Sequence, residues 1–131
     1  MIPFFGWAIA RLKPISINRK MKIESLRKVI EVGGARIREG YSILIFPEGT
    51  RKGPDDGIGK FGNSCGLLAS NEAVPIVPIC HNSGKYWLNK SFKKEPGKID
   101  VVIGRPIYGN DPKELTKKAH QWIKENYSKI N

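Results

Sequence analysis

Glu48, Gly49, Thr50 and Arg51 bring a carboxylate, a bare stretch of backbone, a hydroxyl and a guanidinium to one point of the chain. They follow directly on the apolar run Ile43-Leu44-Ile45-Phe46, which stops at Pro47. Branched and aromatic residues suit a strand buried on both faces, whereas Pro47 offers no N–H to a ladder and Gly49 tolerates dihedrals that other residues resist. The polar groups are therefore expected where a sheet's edge opens to solvent, and in open α/β sheets ligands bind just outside the carboxyl ends of the strands. Read alone, the same residues also fit a surface turn in which Glu48 and Arg51 pair with each other or with water.

The elements that must position this loop follow from periodicity. In residues 14–19, Ile15 and Ile17 alternate with Ser16 and Asn18, a short strand that ends at Arg19 and a basic cluster through Lys22. Residues 23–38 carry Ile23, Leu26, Val29 and Ile30 at helical spacing; Gly33-Gly34 weakens or ends that helix, and Gly40 supplies a stop. Strand, helix, then the strand over residues 42–46 reads as a right-handed βαβ crossover, so the sheet is expected to be parallel. Residues 52–59 are a loop by composition, and Lys60 is expected to open a helix running to Asn71. A lysine and free N–H groups at a helix start make an anion site. Gly57-Ile58-Gly59-Lys60-Phe61-Gly62 fits Gly-x-Gly-x-x-Gly only formally, because a dinucleotide fingerprint follows a strand and this one follows a loop.

Residues 74–79 read as the next buried strand, with Pro75 and Pro78 suited to its ends. Cys80-His81-Asn82-Ser83-Gly84 continues it into a loop, on the same side of the sheet as Glu48 if the strands are parallel, which singles out His81 as a candidate base. Residues 85–98 form a basic, aromatic loop, and residues 99–106 a last strand and its exit turn. Asp111-Pro112 begins a terminal helix as N-cap and first helical residue, with Leu115, Ala119, Trp122 and Ile123 on one face. At the other end, residues 1–12 carry Phe4, Phe5 and Trp7 but fall short of the ~20 residues that span a membrane. They fit either a helix packed on the sheet or a segment lying in a membrane interface.

At 131 residues the chain is expected to form a single domain, residues 1–131, and its 40% hydrophobic and 27% charged content is that of a globular protein. Twenty-three Lys and Arg against 12 Asp and Glu leave a net charge of +11, which favours anionic partners: phosphates, anionic lipid headgroups, coenzyme A, acyl carrier protein or nucleic acid. Aromatic residues do not interleave with Lys and Arg along the strands as base-stacking platforms require, so no nucleic-acid partner is expected. Cys65 and Cys80 form no Cys-x-x-Cys pair and have no histidine at zinc spacing, so free thiols and no metal site are expected.

Phe46-Pro47-Glu48-Gly49-Thr50-Arg51 resembles the third sequence block of the glycerolipid acyltransferases, in particular the 1-acyl-sn-glycerol-3-phosphate (lysophosphatidic acid) acyltransferases. Other blocks stand in the family's order: Ile2-Pro3-Phe4-Phe5-Gly6-Trp7 with Ile15-Ser16-Ile17-Asn18-Arg19 before it, and Lys60-Phe61-Gly62 and Val74-Pro75-Ile76-Val77-Pro78-Ile79 after it. The resemblance runs from residue 2 to about residue 106. It implies an α/β fold of the glycerol-3-phosphate acyltransferase type, a mostly parallel sheet flanked by helices and incomplete at the N-terminus. It further implies that Arg19, Glu48, Gly49, Thr50, Arg51 and Lys60 bind a phosphorylated glycerol substrate, with Arg19 and Lys60 on the phosphate. A guanidinium suits that task because its planar donor fork meets phosphate oxygens two at a time.

By the same resemblance, the reaction moves a fatty acyl group from acyl-CoA or acyl-carrier protein, as co-substrate and with no cofactor, to 1-acylglycerol-3-phosphate. The product is phosphatidic acid, made at the cytoplasmic face of an anionic membrane surface to which the protein is bound peripherally. In the family a His and an Asp separated by four residues, upstream of the Ile-Pro-Phe-Phe-Gly segment, supply the base. Here Met1 falls just after that place, so the chain is expected to retain the substrate-binding half and lack the dyad. His120 and Glu125 have the spacing with Glu for Asp, but in a helix the fifth residue onward points about 140° away. His81 is better placed but has no spaced acid. The remaining reading is a non-catalytic phospholipid or membrane-surface module built from the same blocks.

Overall fold

The computed structural model describes residues 10–17, 21–50, 53, 56–87, 92 and 94–130. The chain divides into two compact units, Met1–Ile43 and Leu44–Asn131.

The first unit is built on helix α1 (Lys22–Arg38). Leu26, Val29 and Ile30 are half-buried along it, whereas Ile23 is 83% exposed and drops out of the apolar stripe. The helix runs unbroken through Gly33 and Gly34, both buried, so the expected weak point is absent: packing outweighs the roughly 1 kcal/mol per glycine that propensity alone predicts. It ends as expected at Gly40, whose φ of 90° turns the chain, while the Tyr41 amide donates back to Arg36 O at 3.0 Å. Lys13 Nζ donates to the Tyr41 hydroxyl at 2.7 Å.

Neither residues 14–17 nor residues 42–46 belong to a strand, contrary to expectation; residues 18–20 lie outside the described set. Ile43 and Ile45 are half-buried, but Leu44 and Phe46 are 72% and 73% exposed, so the run is covered on one side rather than two. An extended segment becomes a strand only when a neighbouring strand takes its N–H and C=O groups, and among the described residues no such ladder forms on this run.

The second unit contains helix α2 (Ser64–Glu72), strand β1 (Ile79–His81), a short 3-10 turn (Ser83–Lys85), strand β2 (Val101–Ile103) and helix α3 (Pro112–Ile130). The α/β class holds, but the described ladder is antiparallel, pairing Ile79 with Ile103, Cys80 with Val102 and His81 with Val101. The parallel pairing expected of residues 14–19 and 42–46 concerns other segments, and this ladder joins two later strands. The ladder is prolonged by a bridge in which Ile76 and Ile107 exchange both backbone hydrogen bonds, at 3.0 and 2.8 Å. Pro75 and Pro78, which have no N–H to give, interrupt it, so β1 starts later than residues 74–79 suggest.

The core lies where α2, α3 and β1 meet, with Cys65, Leu68, Ala69, Cys80, Leu115 and Ala119 buried. Two features let α2 and α3 approach. A Cβ on Gly66 would collide with the Pro112 carbonyl oxygen and Thr116 Oγ1, and Ser70 Oγ donates to Asn110 O at 2.6 Å. α3 starts where Asp111-Pro112 predicts: Asp111 Oδ1 accepts the Lys113 and Glu114 amides at 2.8 and 3.3 Å. Buried Asn82 ties the ladder to the far end of the same helix, accepting the Asp100 amide on Oδ1 at 2.9 Å and donating through Nδ2 to Ile130 O at 3.0 Å. Cys65 and Cys80 are buried free thiols, as their spacing implied.

Candidate functional site

The turn that follows residue 46 is closed by main-chain bonds before any side chain acts. Gly49, at φ 68°, sends its N–H back to Phe46 O at 3.1 Å, and Pro47 O accepts the Gly62 amide at 2.9 Å. The 68° dihedral is left-handed, which is why glycine stands there. Within this closed loop, Glu48 Oε2 accepts the Gly59 N–H at 2.8 Å. The carbonyl of Gly59 in turn faces His120 Nε2 at 3.0 Å, and since a carbonyl only accepts, that nitrogen carries the proton. Gly59 is buried, and its two backbone groups join the Glu48 loop to α3. Phe61 packs against the His120 ring edge-on, with centroids 4.7 Å apart and planes at 84°.

A carboxylate held through one oxygen presents the other at a fixed place, which suits it to orient a hydroxyl-bearing ligand. Thr50 is exposed beside it, while Arg51, like Arg19, lies outside the described residues. Lys60 is exposed, and it is not at a helix start as expected: α2 begins at Ser64, with Asn63 as its N-cap. The lysine therefore stands in a loop, ahead of the helix rather than at its first turn. It borders a shallow, open cleft of about 330 Å³ between that loop and α3, lined on the helix side by Lys113, Lys117 and His120. Reading the sequence missed that side. Its signal was the spacing of residues 113, 117 and 120 on one face of a helix.

His81 is exposed at the end of β1, where its Nδ1 accepts the Ser83 amide at 3.4 Å and lies 2.8 Å from Ser83 Oγ. Residues 42–46 form no strand with β1, so no described ladder sets His81 on the side of Glu48. His120 and Glu125 do not form a dyad. His120 turns to Gly59, and Glu125 Oε1 accepts from Gln121 Nε2 at 2.6 Å. Among the described residues no group of three His, Cys, Asp or Glu could hold a metal ion, and no helix is long and apolar enough to cross a membrane.

The acyltransferase family profile matches residues 1–82, which include the whole Glu48 loop and Lys60. The chain belongs to the acyltransferase family. This acyltransferase chain is 41% identical over 135 aligned positions to the 1-acyl-sn-glycerol-3-phosphate acyltransferase of Pseudomonas aeruginosa, covering 99% of this chain and 52% of that protein. It is 29% identical to the chloroplastic enzyme BAT2 of Brassica napus, over 100% of this chain and 38% of that one. Its fold matches the crystal structure of the 1-acyl-sn-glycerophosphate (LPA) acyltransferase PlsC from Thermotoga maritima. The TM-score is 0.75 at 27% identity, over 98% of this chain and 52% of that chain. The acyltransferase chain thus spans about half the length of the Pseudomonas and Thermotoga proteins.

Proposed function

We propose that this chain holds the phosphorylated glycerol backbone of 1-acyl-sn-glycerol-3-phosphate for acyl transfer from acyl-CoA or acyl-carrier protein, the step that yields phosphatidic acid in phospholipid synthesis. The observation that carries the reading is the fixed Glu48: its loop lies within the stretch that matches the acyltransferase family and resembles that family's Phe-Pro-Glu-Gly-Thr-Arg block, and Gly59 pins its carboxylate at 2.8 Å. In this reading Glu48 accepts a glycerol hydroxyl, and Gly49 and Thr50 shape the turn around it. Arg19, Arg51 and Lys60 meet the phosphate, and the protein works peripherally on the cytoplasmic face of an anionic membrane. Holding the two reactants together contributes much of the rate of such a transfer.

A second reading, a phospholipid-surface module without catalysis, is favoured by one observation. His81 is oriented by Ser83 and His120 by the Gly59 carbonyl, so neither described histidine is turned by a carboxylate into a general base. Transfer of labelled acyl groups from acyl-CoA to lysophosphatidic acid separates the two. Turnover that falls in Glu48→Ala and Arg19→Ala supports the enzyme, and vesicle binding without turnover supports the module. Neither reading survives if lysophosphatidic acid vesicles do not bind.

A further inference from the structure

Three lysines line one cleft. Lys60 comes from the loop before α2, and Lys113 and Lys117 come from the first two turns of α3. Residues 113, 117 and 120 stand at i, i+4 and i+7, so one helical face presents both lysines and His120 together. The wall is held in place from behind. His120 is bonded to Gly59 O at 3.0 Å and braced by the Phe61 ring, and the close approach at Gly66 fixes α2 against α3.

The acids at the start of that helix are engaged elsewhere. Asp111 caps its first turn, and Glu114 is ion-paired with Lys118 at 2.7 Å. Among the described residues, no carboxylate lines the cleft. Gathering three like charges in a chain of net charge +11 costs self-repulsion, and a bound anion relieves it.

We propose that this cleft binds the phosphates of a nucleotide-linked acyl donor, with Lys113 and Lys117 as its contacts on α3. The identity of the donor rests on the acyl-transfer reading above. With Lys60 given to the lysophosphatidate phosphate in that reading, Lys113 and Lys117 are left for a second anionic ligand, and coenzyme A brings a diphosphate and a 3′-phosphate where a lysophosphatidate headgroup brings one phosphate. Lysine suits such a ligand. Its ammonium is a point charge on a flexible stem that follows a spread of phosphoryl groups in an open cleft better than a rigid fork does.

The test titrates coenzyme A into the full chain by calorimetry, with glycerol 3-phosphate as the single-phosphate probe. Coenzyme A should bind more tightly than glycerol 3-phosphate. Lys113→Glu/Lys117→Glu should weaken it about tenfold or more, and Lys113→Arg/Lys117→Arg should retain it. Both lysines are exposed, and an acid at 113, in the first turn, favours the helix dipole, so the Glu pair is expected to keep the fold, with Lys113→Gln/Lys117→Gln as the milder control. Coenzyme A affinity that is absent in the parent chain, or equal in parent and both charge-removing variants, overturns the proposal. So does glycerol 3-phosphate binding that matches coenzyme A and is lost with the same lysines, which would give the cleft to the lipid headgroup. Lysophosphatidic acid vesicle binding, measured on the same variants, reports on the substrate reading separately: its loss in the parent chain sinks that reading, whatever the cleft does.

Discussion

The carboxylate of Glu48 accepts the amide hydrogen of Gly59 at 2.8 Å, so the side chain that the sequence marks as functional also closes its own loop. Gly59 is buried, and Glu48→Ala would leave its N–H without that acceptor. The expected loss is about 1–3 kcal/mol of stability. Glu48→Gln keeps a carbonyl oxygen for the amide and should recover most of that loss, while still losing the charge that would orient a ligand. Urea midpoints check the first effect and lysophosphatidic acid vesicle binding the second. A Gln variant as unstable as the Ala variant would mean that the bond to Gly59 does not matter.

Gly66 sets the spacing of α2 and α3, because a methyl there meets main-chain oxygen rather than the end of a flexible side chain. Gly66→Ala should therefore cost about 1–3 kcal/mol by overpacking, despite alanine's better helix propensity. Gly62→Ala is the control: its Cβ would sit 3.6 Å from Pro47 O, an ordinary contact, and the change should stay within about 0.5 kcal/mol. Equal thermal midpoints for the two variants would contradict the packing argument.

Asn82 serves two elements at once, the Asp100 amide and the Ile130 carbonyl. Asn82→Ala orphans both groups and should lower stability by about 2 kcal/mol, within the usual cost of unsatisfied buried partners. Asn82→Asp keeps the acceptor for Asp100 but faces Ile130 O with a second acceptor, so it should rescue only in part. Hydrogen exchange at the Asp100 amide should quicken in the Ala variant more than in the Asp variant; unchanged exchange in both would count against the bond.

Local chemistry explains which features the sequence revealed. Asp111-Pro112 announced α3 because an N-cap acid and a first-turn proline act within one turn of the helix. The Glu48 turn was legible because Pro47 and Gly49 impose their dihedrals on the spot. Strand pairing was not, since a run such as Ile43-Leu44-Ile45-Phe46 records its preference for extension but not its partner or the partner's direction. Lys60 was misplaced at a helix start because Gly62-Asn63 was not read as the turn and cap before Ser64. The cleft was missed for a further reason: the lysines of α3 share a face visible on any helical wheel, but Lys60 reaches them only through the packing of α2 on α3.

Cys80 lies on the inner side of β1, and burial raises its thiol pKa above the ordinary value. The folded chain then keeps its proton at a pH where the unfolded chain has given it up, so the unfolded state gains on the alkaline side. The stability linked to this group is fully present below the ordinary thiol value and is lost as the pH climbs through the raised one. Lysines and tyrosines titrate in the same region, so the parent must be compared with Cys80→Ala. The variant should be less stable near neutrality, from the cavity it leaves, yet show a shallower fall in urea midpoint with rising pH. Native Cys80 should also react slowly with iodoacetamide at mildly alkaline pH and rapidly once urea exposes it. Parallel pH slopes in parent and variant would show that the thiolate does not contribute to alkaline unfolding.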